Sequence, residues 1–504
     1  MWKPIARGLG LVGAALLGCE LGYLVLVNGL IFSGLIQWAA ATSPERVELS
    51  WVRGYSAWPG HAHVSDFRLA VQDRVMQFQL TIEDATLDVA VGELLHKKFR
   101  ASHIHATGAS FRFLPRVDRA GAHGERLEAL PIIDGFPRPA WAPDPVPPPM
   151  TPEEIDQLWA VQLDDVDATF DELWILEYRY RGPAEVSGGF ALSPLRTLWV
   201  GPAQLTLKHG ALSAGEHAIS SDFTLEAKVT IAPVDLPSAP GLQVLKALTT
   251  EVRFDTPLED LGVADLYLDG LRMRGKGELS AALVVTDGRL MPQSTVTLGL
   301  PDTAVELHGQ RFSGKARAVL SVSDKVPSVL ATLSGGLGVH LPNTKAIEAK
   351  LSGVTLEVIL LDNELSSGFS VERFFAVVGE VRVDDARPIT GTIGLSVPLF
   401  AKLVLGAGPL VASATAYHTP EYTLVRLKSL GLGDGALEGA AVPGANGWNG
   451  AAAGHFGTIP LGLKLRNNTL EGVLFAPPTW LSTELLSAGI VPGKEPPGPH
   501  VATK

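Results

Sequence analysis

Apolar and polar positions alternate with a period of two along most of this chain. The clearest run is Phe223-Thr224-Leu225-Glu226-Ala227-Lys228-Val229-Thr230-Ile231, apolar at every odd position and polar at every even one. Val296, Leu298 and Leu300 repeat it, as do Ala316, Ala318, Leu320 and Val322, and Val354, Leu356, Val358 and Leu360. Nearer the start, Phe67, Leu69 and Val71 alternate with polar or small neighbours; Phe78, Leu80 and Ile82 follow, then Leu87, Val89 and Val91. Successive side chains of a strand point to opposite faces, so this period predicts strands with one dry and one wet face. Helical signals are few. Residues 92–99 read as a brief amphipathic helix; Thr151 and Pro152 open another that runs to about Val161; 241–248 and 479–488 are further short candidates. The Pro-rich stretch 137–149 predicts an extended, exposed linker. Strand and turn units recur without a fixed-length repeat.

The opening departs from this pattern. Residues 9–41 carry one formal charge, Glu20, and exceed the roughly 20 residues that cross a bilayer. Lys3 and Arg7 precede them, which predicts a cytoplasmic amino terminus and a body on the far side. Glu20 near mid-membrane costs about 2.5–3.5 kcal/mol on insertion scales, and Gly18 with Gly22 makes a small-residue face for a partner helix. Ala15-Leu16-Leu17-Gly18-Cys19 also resembles a lipoprotein cleavage box, although apolar sequence continues to Ile36.

A chain of 504 residues is too long for one ordinary core, since single cores stop growing near about 250–300 residues. Fifty-three glycines and 36 prolines, with 19% charged residues, suit many strands and turns. Mean hydropathy is +0.20, high for a soluble domain. The net charge of −12 and the lack of a Lys/Arg block argue against nucleic acid as a partner. Cys19 is the single cysteine, which excludes an intrachain disulfide. Strands with one apolar face need that face covered by a sheet, helices or lipid. Antiparallel sheets curl beyond about ten strands. The expectation is a mainly β protein: an amino-terminal transmembrane helix, then an elongated, curled antiparallel sheet, open as a groove or shut as a sandwich. Its expected parts are an anchor (1–41), a β unit with a short helix (42–115), a Pro-rich linker and short helix (116–161), a repeated-strand body (162–490) and a disordered tail (491–504).

After the apolar segment comes Trp51-Val52-Arg53-Gly54-Tyr55-Ser56-Ala57-Trp58-Pro59-Gly60-His61-Ala62-His63-Val64-Ser65-Asp66-Phe67-Arg68-Leu69, then a strand pair, the 92–99 helix and a pair at 101–113. This order resembles the start of AsmA-like proteins, and it is similar to the mitochondrial distribution-and-morphology proteins. The resemblance covers residues 1–115. It implies an inner-membrane anchor, a periplasmic β body with a hydrophobic groove, and a role in phospholipid transfer or outer-membrane upkeep. It implies no catalytic residues.

Other motifs weigh less. Gly8-Leu9-Gly10-Leu11-Val12-Gly13 spells a dinucleotide fingerprint, but no strand precedes it. His61 with His63, and His103 with His105, form strand pairs that share a face and suit a metal. No ligands of convincing spacing surround them, so surface histidines are the plainer reading. Asp164, Asp165 and Asp167, and Asp384 with Asp385, read as solvated strand ends before they read as carboxylates that serve hydrolysis or bind calcium. Trp174, Tyr178 and Tyr180 have strand spacing with Leu176 on the same side, and read as core, with a groove lip contacting lipid as the alternative. Asn467-Asn468-Thr469 matches a glycosylation acceptor.

The leading expectation is a non-enzymatic, single-pass envelope protein that binds or conducts phospholipid or other acyl chains. No cofactor or metal is expected. Its groove candidates are Phe223, Leu225, Val229, Ile231, Val296, Leu298, Val354, Leu356 and Val358. The alternative is a closed β scaffold that gathers envelope protein partners. A hydrolase built on His61 or His103 is a third class.

Overall fold

The computed structural model describes residues 24–25, 27–29, 31–34, 37, 47–72, 76–115, 127–136, 150–267, 271–307, 310–324, 328–340, 347–360, 363–367, 371–383, 409–432 and 435–491. The protein is mainly β, with 23 strands among the described residues. The chain divides into two compact units, Met1–Pro257 with Val285–Gly288, and Leu258–Val284 with Arg289–Lys504.

The first unit holds β1 (Val47–Ser50), β2 (Arg53–Trp58), β3 (His61–Gln72), β4 (Met76–Val89), β5 (Lys98–Pro115), β6 (Ala160–Ile175), β7 (Tyr178–Ser193), β8 (Thr197–Ala214), β9 (His217–Asp235) and most of β10 (Leu248–Leu258). β1 and β2 both pair with β3, and the ladder then runs in chain order to β10. Every step is antiparallel except β5 with β6, which is parallel. This corrects the expectation of a purely antiparallel sheet. Parallel neighbours need a long crossover, and residues 116–159 provide it. The described part of that segment is not an exposed linker throughout. Leu130 and Ile133 are buried against Ala70 and Leu114, Arg68 and Arg112 donate to the carbonyls of Asp134 and Ile132, and Trp174 Nε1 donates to that of Ala129. The prolines at 137–149 lie outside the described residues.

The second unit holds β11 (Leu271–Thr286), β12 (Arg289–Leu290), β13 (Thr295–Leu307), β14 (Gln310–Val322), β15 (Ser328–His340), β16 (Ile347–Leu360), β17 (Val371–Val383), β18 (Leu410–Thr419), β19 (Tyr422–Leu432), β20 (Gly435–Gly444), β21 (Gly447–Phe456), β22 (Ile459–Arg466) and β23 (Thr469–Leu474). From β13 onward each strand pairs antiparallel with the next, and β11 joins β13. A helix, Trp480–Ser487, lies over one face: Leu485 and Ile490 bury Leu424, Ala440 and Ala451. Asn467 and Asn468, with φ of 48° and 66°, make the tight β22–β23 turn.

The 479–488 candidate forms as the Trp480–Ser487 helix and the 241–248 candidate as a 3-10 helix over Gly241–Ala247, whereas the other two predicted helices shrink to single turns. Thr151 Oγ1 accepts from the Glu154 N–H and the Glu154 carboxylate from the Thr151 N–H, a full capping box. The helix still ends at Ile155, and β6 begins at Ala160. The 92–99 candidate is helical only over Val91–Leu94, because Lys97 takes a φ of 56° and β5 starts at Lys98. Among the described residues no helix is long and apolar enough to cross a membrane. Most of the predicted span 9–41, with Cys19, Glu20 and the 8–13 glycines, lies outside them, as do Asp384 and Asp385.

Bulges set the sheet's finer geometry. Asp66, His103, Asp165 and His209 have φ of 52°, 48°, 56° and 52°. Asp and His enter this left-handed region more readily than most side chains. His103, Asp165 and His209 each insert one residue against a neighbouring strand. Asp66 leaves the β3–β4 register unbroken, and at all four the apolar positions move from one parity to the other. In β5 the apolar face passes from Ala101 to Ile104; in β6 it passes from Leu163 to Val166. In β3 it passes from Val64 to Phe67. Bulges bend a strand and increase its twist, so the face keeps one chemistry while the backbone curves.

Candidate functional site

The candidate site is the apolar face of each unit. Strand registers, followed residue by residue, show apolar positions lining up across neighbours. In the first unit one row runs Val64, Ala85, Ala106, Ala168, Val186, Leu205, Ala227, Val252 from β3 to β10. A second runs Ala109, Phe170, Ala184, Leu207, Leu225, Phe254. A third runs Leu69, Leu80, Phe111, Leu173, Tyr180, Leu212. On the opposite face the matching row is polar throughout: His63, Thr86, His105, Asp167, Ser187, Gln204, Lys228, Glu251. Period-two alternation within each strand and register between strands together make two chemically distinct faces.

The second unit repeats the arrangement. One row runs Ala281, Val296, Leu320, Ala331, Leu356, Ala376, Ala416, Val425, Ala441, Gly450, Leu465, Leu470. A second begins Leu279, Leu298, Ala318, Leu333, Val354, Val378.

All nine groove candidates fall on these faces. Phe223, Leu225, Val229 and Ile231 share the first unit's apolar face, and Val296, Leu298, Val354, Leu356 and Val358 share the second's. Phe223 is buried, and the other eight are only partly buried. Two elements that cover apolar side chains, residues 127–136 and the Trp480–Ser487 helix, lie on the opposite faces. One stretch covers itself: Leu437 and Leu461 are buried among Leu410, Leu430, Phe456, Leu463 and Leu470, all on the second unit's apolar face.

An aromatic strip that the sequence did not single out crosses the first unit's apolar face. Phe223 lies 6.3 Å from Tyr180, edge-on, and 6.0 Å from Phe254. Tyr180 is buried because its ring lies flat over Gly182 and Gly210. Its hydroxyl donates to the Pro183 carbonyl (2.9 Å) and accepts from the Lys208 N–H (3.1 Å). Burial raises its pKa above the usual phenol value. Trp174 does not join Tyr178 and Tyr180 as the spacing suggested. Leu176 and Glu177 form the β6–β7 turn, with Leu176 at a φ of 55°, and the turn resets the faces. Trp174 therefore points to the polar face, where the Arg179 guanidinium lies 4.4 Å from its ring centroid.

The histidines also lie on the polar face, each beside a carboxylate. His61 Nδ1 is 2.8 Å from Asp88, His63 Nε2 2.8 Å from Asp84, His103 Nδ1 3.3 Å from Asp88, and His105 Nδ1 3.4 Å from Asp167. The hydrogen bond from His61 holds Asp88 below the ordinary carboxylate range, with His103 adding to it. Among the described residues no set of three or more His, Cys, Asp or Glu side chains is arranged to hold a metal ion. His103 and Asp165 sit at bulge positions, which gives them a backbone role. Glu172 meets three arginines: it accepts from Arg179 Nε (2.7 Å), Arg112 Nη2 (3.1 Å) and Arg181 Nε (3.4 Å). Burial works against its charge, yet Arg179 and Arg112 outweigh this and lower its pKa.

No protein-family model matches the chain, and no curated protein matches it.

Proposed function

We propose that the protein is a membrane-anchored envelope protein that holds phospholipid acyl chains on the apolar faces of its curled sheet, and serves lipid transfer or outer-membrane upkeep. One observation carries this reading. In register, strand after strand, the apolar positions form continuous rows. Small members such as Ala85, Ala106, Ala168 and Ala184 and the Tyr180–Leu207–Phe223 cluster are buried. Many of the large side chains, among them Val186, Leu205, Leu225, Phe254, Val296 and Leu356, are only partly buried, and residues 127–136 and the Trp480–Ser487 helix cover the other face. An apolar face of this extent is stable in water only when hydrocarbon or a partner covers it. Each methylene removed from water contributes about 0.8 kcal/mol. An aliphatic floor without strong polar contacts holds a chain while letting it slide. The apolar segment 9–41, with Lys3 and Arg7 before it, supports an inner-membrane anchor with the body in the periplasm. The rows contain no convergent nucleophile and base, so no catalytic step is assigned.

The test is photo-crosslinking of the full chain with a benzophenone-bearing fatty acid. Labelled peptides containing Phe223 and Leu225, or Val354 and Leu356, are the expected result. Labels mapped within those peptides only to the alternate, polar-face residues, such as Thr224 and Glu226, would count against the proposal. A second reading, a closed scaffold, is favoured by the self-packed cluster around Leu437 and Leu461. It predicts that no peptide of either face is labelled.

A further inference from the structure

Bulky apolar side chains reach the surface along one edge of the first unit, at the strand ends. Trp58 closes β2, Val91 and Leu95 sit in the β4–β5 connection, Trp159 precedes β6, Leu195 sits in the β7–β8 turn and Leu242 follows β9. All six are exposed, Trp58 to 55% and Leu95 to 87%. Backbone hydrogen bonds join these connections: Val89 N–H to the Gly60 carbonyl (2.6 Å), Ala160 N–H to that of Lys97 (3.0 Å), and Leu236 N–H to that of Arg196 (2.8 Å). Arg196 also meets Asp156. Single exposed apolar residues are ordinary on any surface. Here successive connections along one edge each carry one, which marks an interaction surface.

The helical residues before β1 say what this edge faces. Asn28 binds Ser56, Ile31 lies where a Cβ on Gly54 would meet it at 2.8 Å, and Gln37 donates to the Trp51 carbonyl at 3.2 Å. The helix therefore runs from the Trp58 end of β2 to its Trp51 end. The described residues begin at Leu24, at the Trp58 end of this helix, and residues 9–23 of the sequence before it are almost wholly apolar. The described helix thus begins on the side of the exposed edge. Tryptophan and leucine beside polar groups suit the headgroup boundary of a bilayer. Basic Lys97, Arg196 and Lys246 are interspersed with acidic Glu93, Glu153, Glu154 and Asp156. Attraction to anionic lipid is therefore not the driving force; apolar insertion is.

We propose that this edge, led by Trp58 and Leu95, rests in the interfacial layer of a phospholipid bilayer. The inference shares the anchor with the functional reading above but does not depend on acyl chains occupying the apolar faces.

The test uses the full chain in a Cys19→Ser background, with Leu95→Cys carrying a bimane label. Glu216→Cys, in the β8–β9 turn at the opposite strand ends, is the control, and Trp58→Cys is a second edge position should Leu95→Cys misfold. The proteins are reconstituted into phosphatidylcholine vesicles, with and without phosphatidylglycerol. Headgroup-region nitroxide lipids should quench the edge labels several-fold more than the control, equally in both lipids and at high salt. Edge labels that aqueous iodide reaches as fully as the control would overturn the proposal. Edge contact that appears only with phosphatidylglycerol would overturn apolar insertion as its cause. Neither outcome depends on lipid bound to the apolar faces, so this proposal and that reading fail separately.

Discussion

The side-chain amide of Asn28 closes both backbone groups of Ser56: its Nδ2 donates to the Ser56 carbonyl at 3.0 Å and its Oδ1 accepts from the Ser56 N–H at 2.6 Å. Among the described ladders β2 pairs with β3 alone, and an edge strand left open is a template for unwanted pairing. A helical side chain thus supplies what a further strand would. Asn28→Ala should cost on the order of 1–3 kcal/mol, and Asn28→Asp, which sets a carboxylate oxygen against the Ser56 carbonyl, should not cost less. Hydrogen exchange checks this. The Ser56 amide should lose protection in Asn28→Ala, and unchanged protection would show that the helix is not seated there.

The bulge positions make a backbone prediction. His103 and Asp165 hold left-handed conformations that cost most side chains about 1–2 kcal/mol. His103→Gly and Asp165→Gly should leave chemical denaturation midpoints near the parent value. The β-branched His103→Val and Asp165→Val should lower stability by about that amount. If glycine and valine are equally harmful at both positions, the side chains matter for a reason other than the backbone.

Glu172 predicts a pH dependence. Its carboxyl titrates below its ordinary value of 4.5 because Arg179 and Arg112 outweigh the effect of burial. A depressed folded-state pKa gives stability that is present above the unfolded value and lost as pH falls through the folded one. Unfolding of the parent should therefore become easier as pH falls below about 4.5. Glu172→Gln should be less stable at pH 7 by on the order of 1–3 kcal/mol and should show a shallower acid limb. A parallel acid limb would mean that other carboxylates carry the effect.

Tyr180 fits its site by shape. Its ring covers Gly210, where any Cβ would collide with it. Gly210→Ala should push the ring off the sheet and destabilise the first unit more than Tyr180→Phe, which loses only the hydroxyl contacts at about 0.5–1.5 kcal/mol. Comparing the two by urea denaturation decides this, and equal costs would contradict the packing argument.

Much of the fold was legible because period-two alternation is a local signal. Phe223 to Ile231 reads as a strand with one dry face, and register places that face beside Leu205, Leu207 and Phe254. The bulges were not legible. One extra residue at Asp165 or His103 changes the parity of the apolar positions, and the letters alone do not separate that from a strand end. The parallel β5–β6 pairing was hidden for a related reason, since it depends on where residues 116–159 return and not on any strand's composition. Leu176 and Glu177 look like strand continuation, yet they turn the chain and send Trp174 and Tyr180 to opposite faces. The groove candidates were found through their alternation. Tyr180 and Phe254 joined the strip only once the register was known.

The central claim is that hydrocarbon covers the apolar faces. Native mass spectrometry with lipid extraction, applied to the purified full chain and to Leu225→Lys and Leu356→Lys, tests it most directly. The parent should retain phospholipid and take up a fluorescent acyl probe, and each lysine variant should lose much of both while keeping its β circular dichroism. A parent that carries no lipid and takes up no probe, or lysine variants that bind as the parent does, would contradict the account.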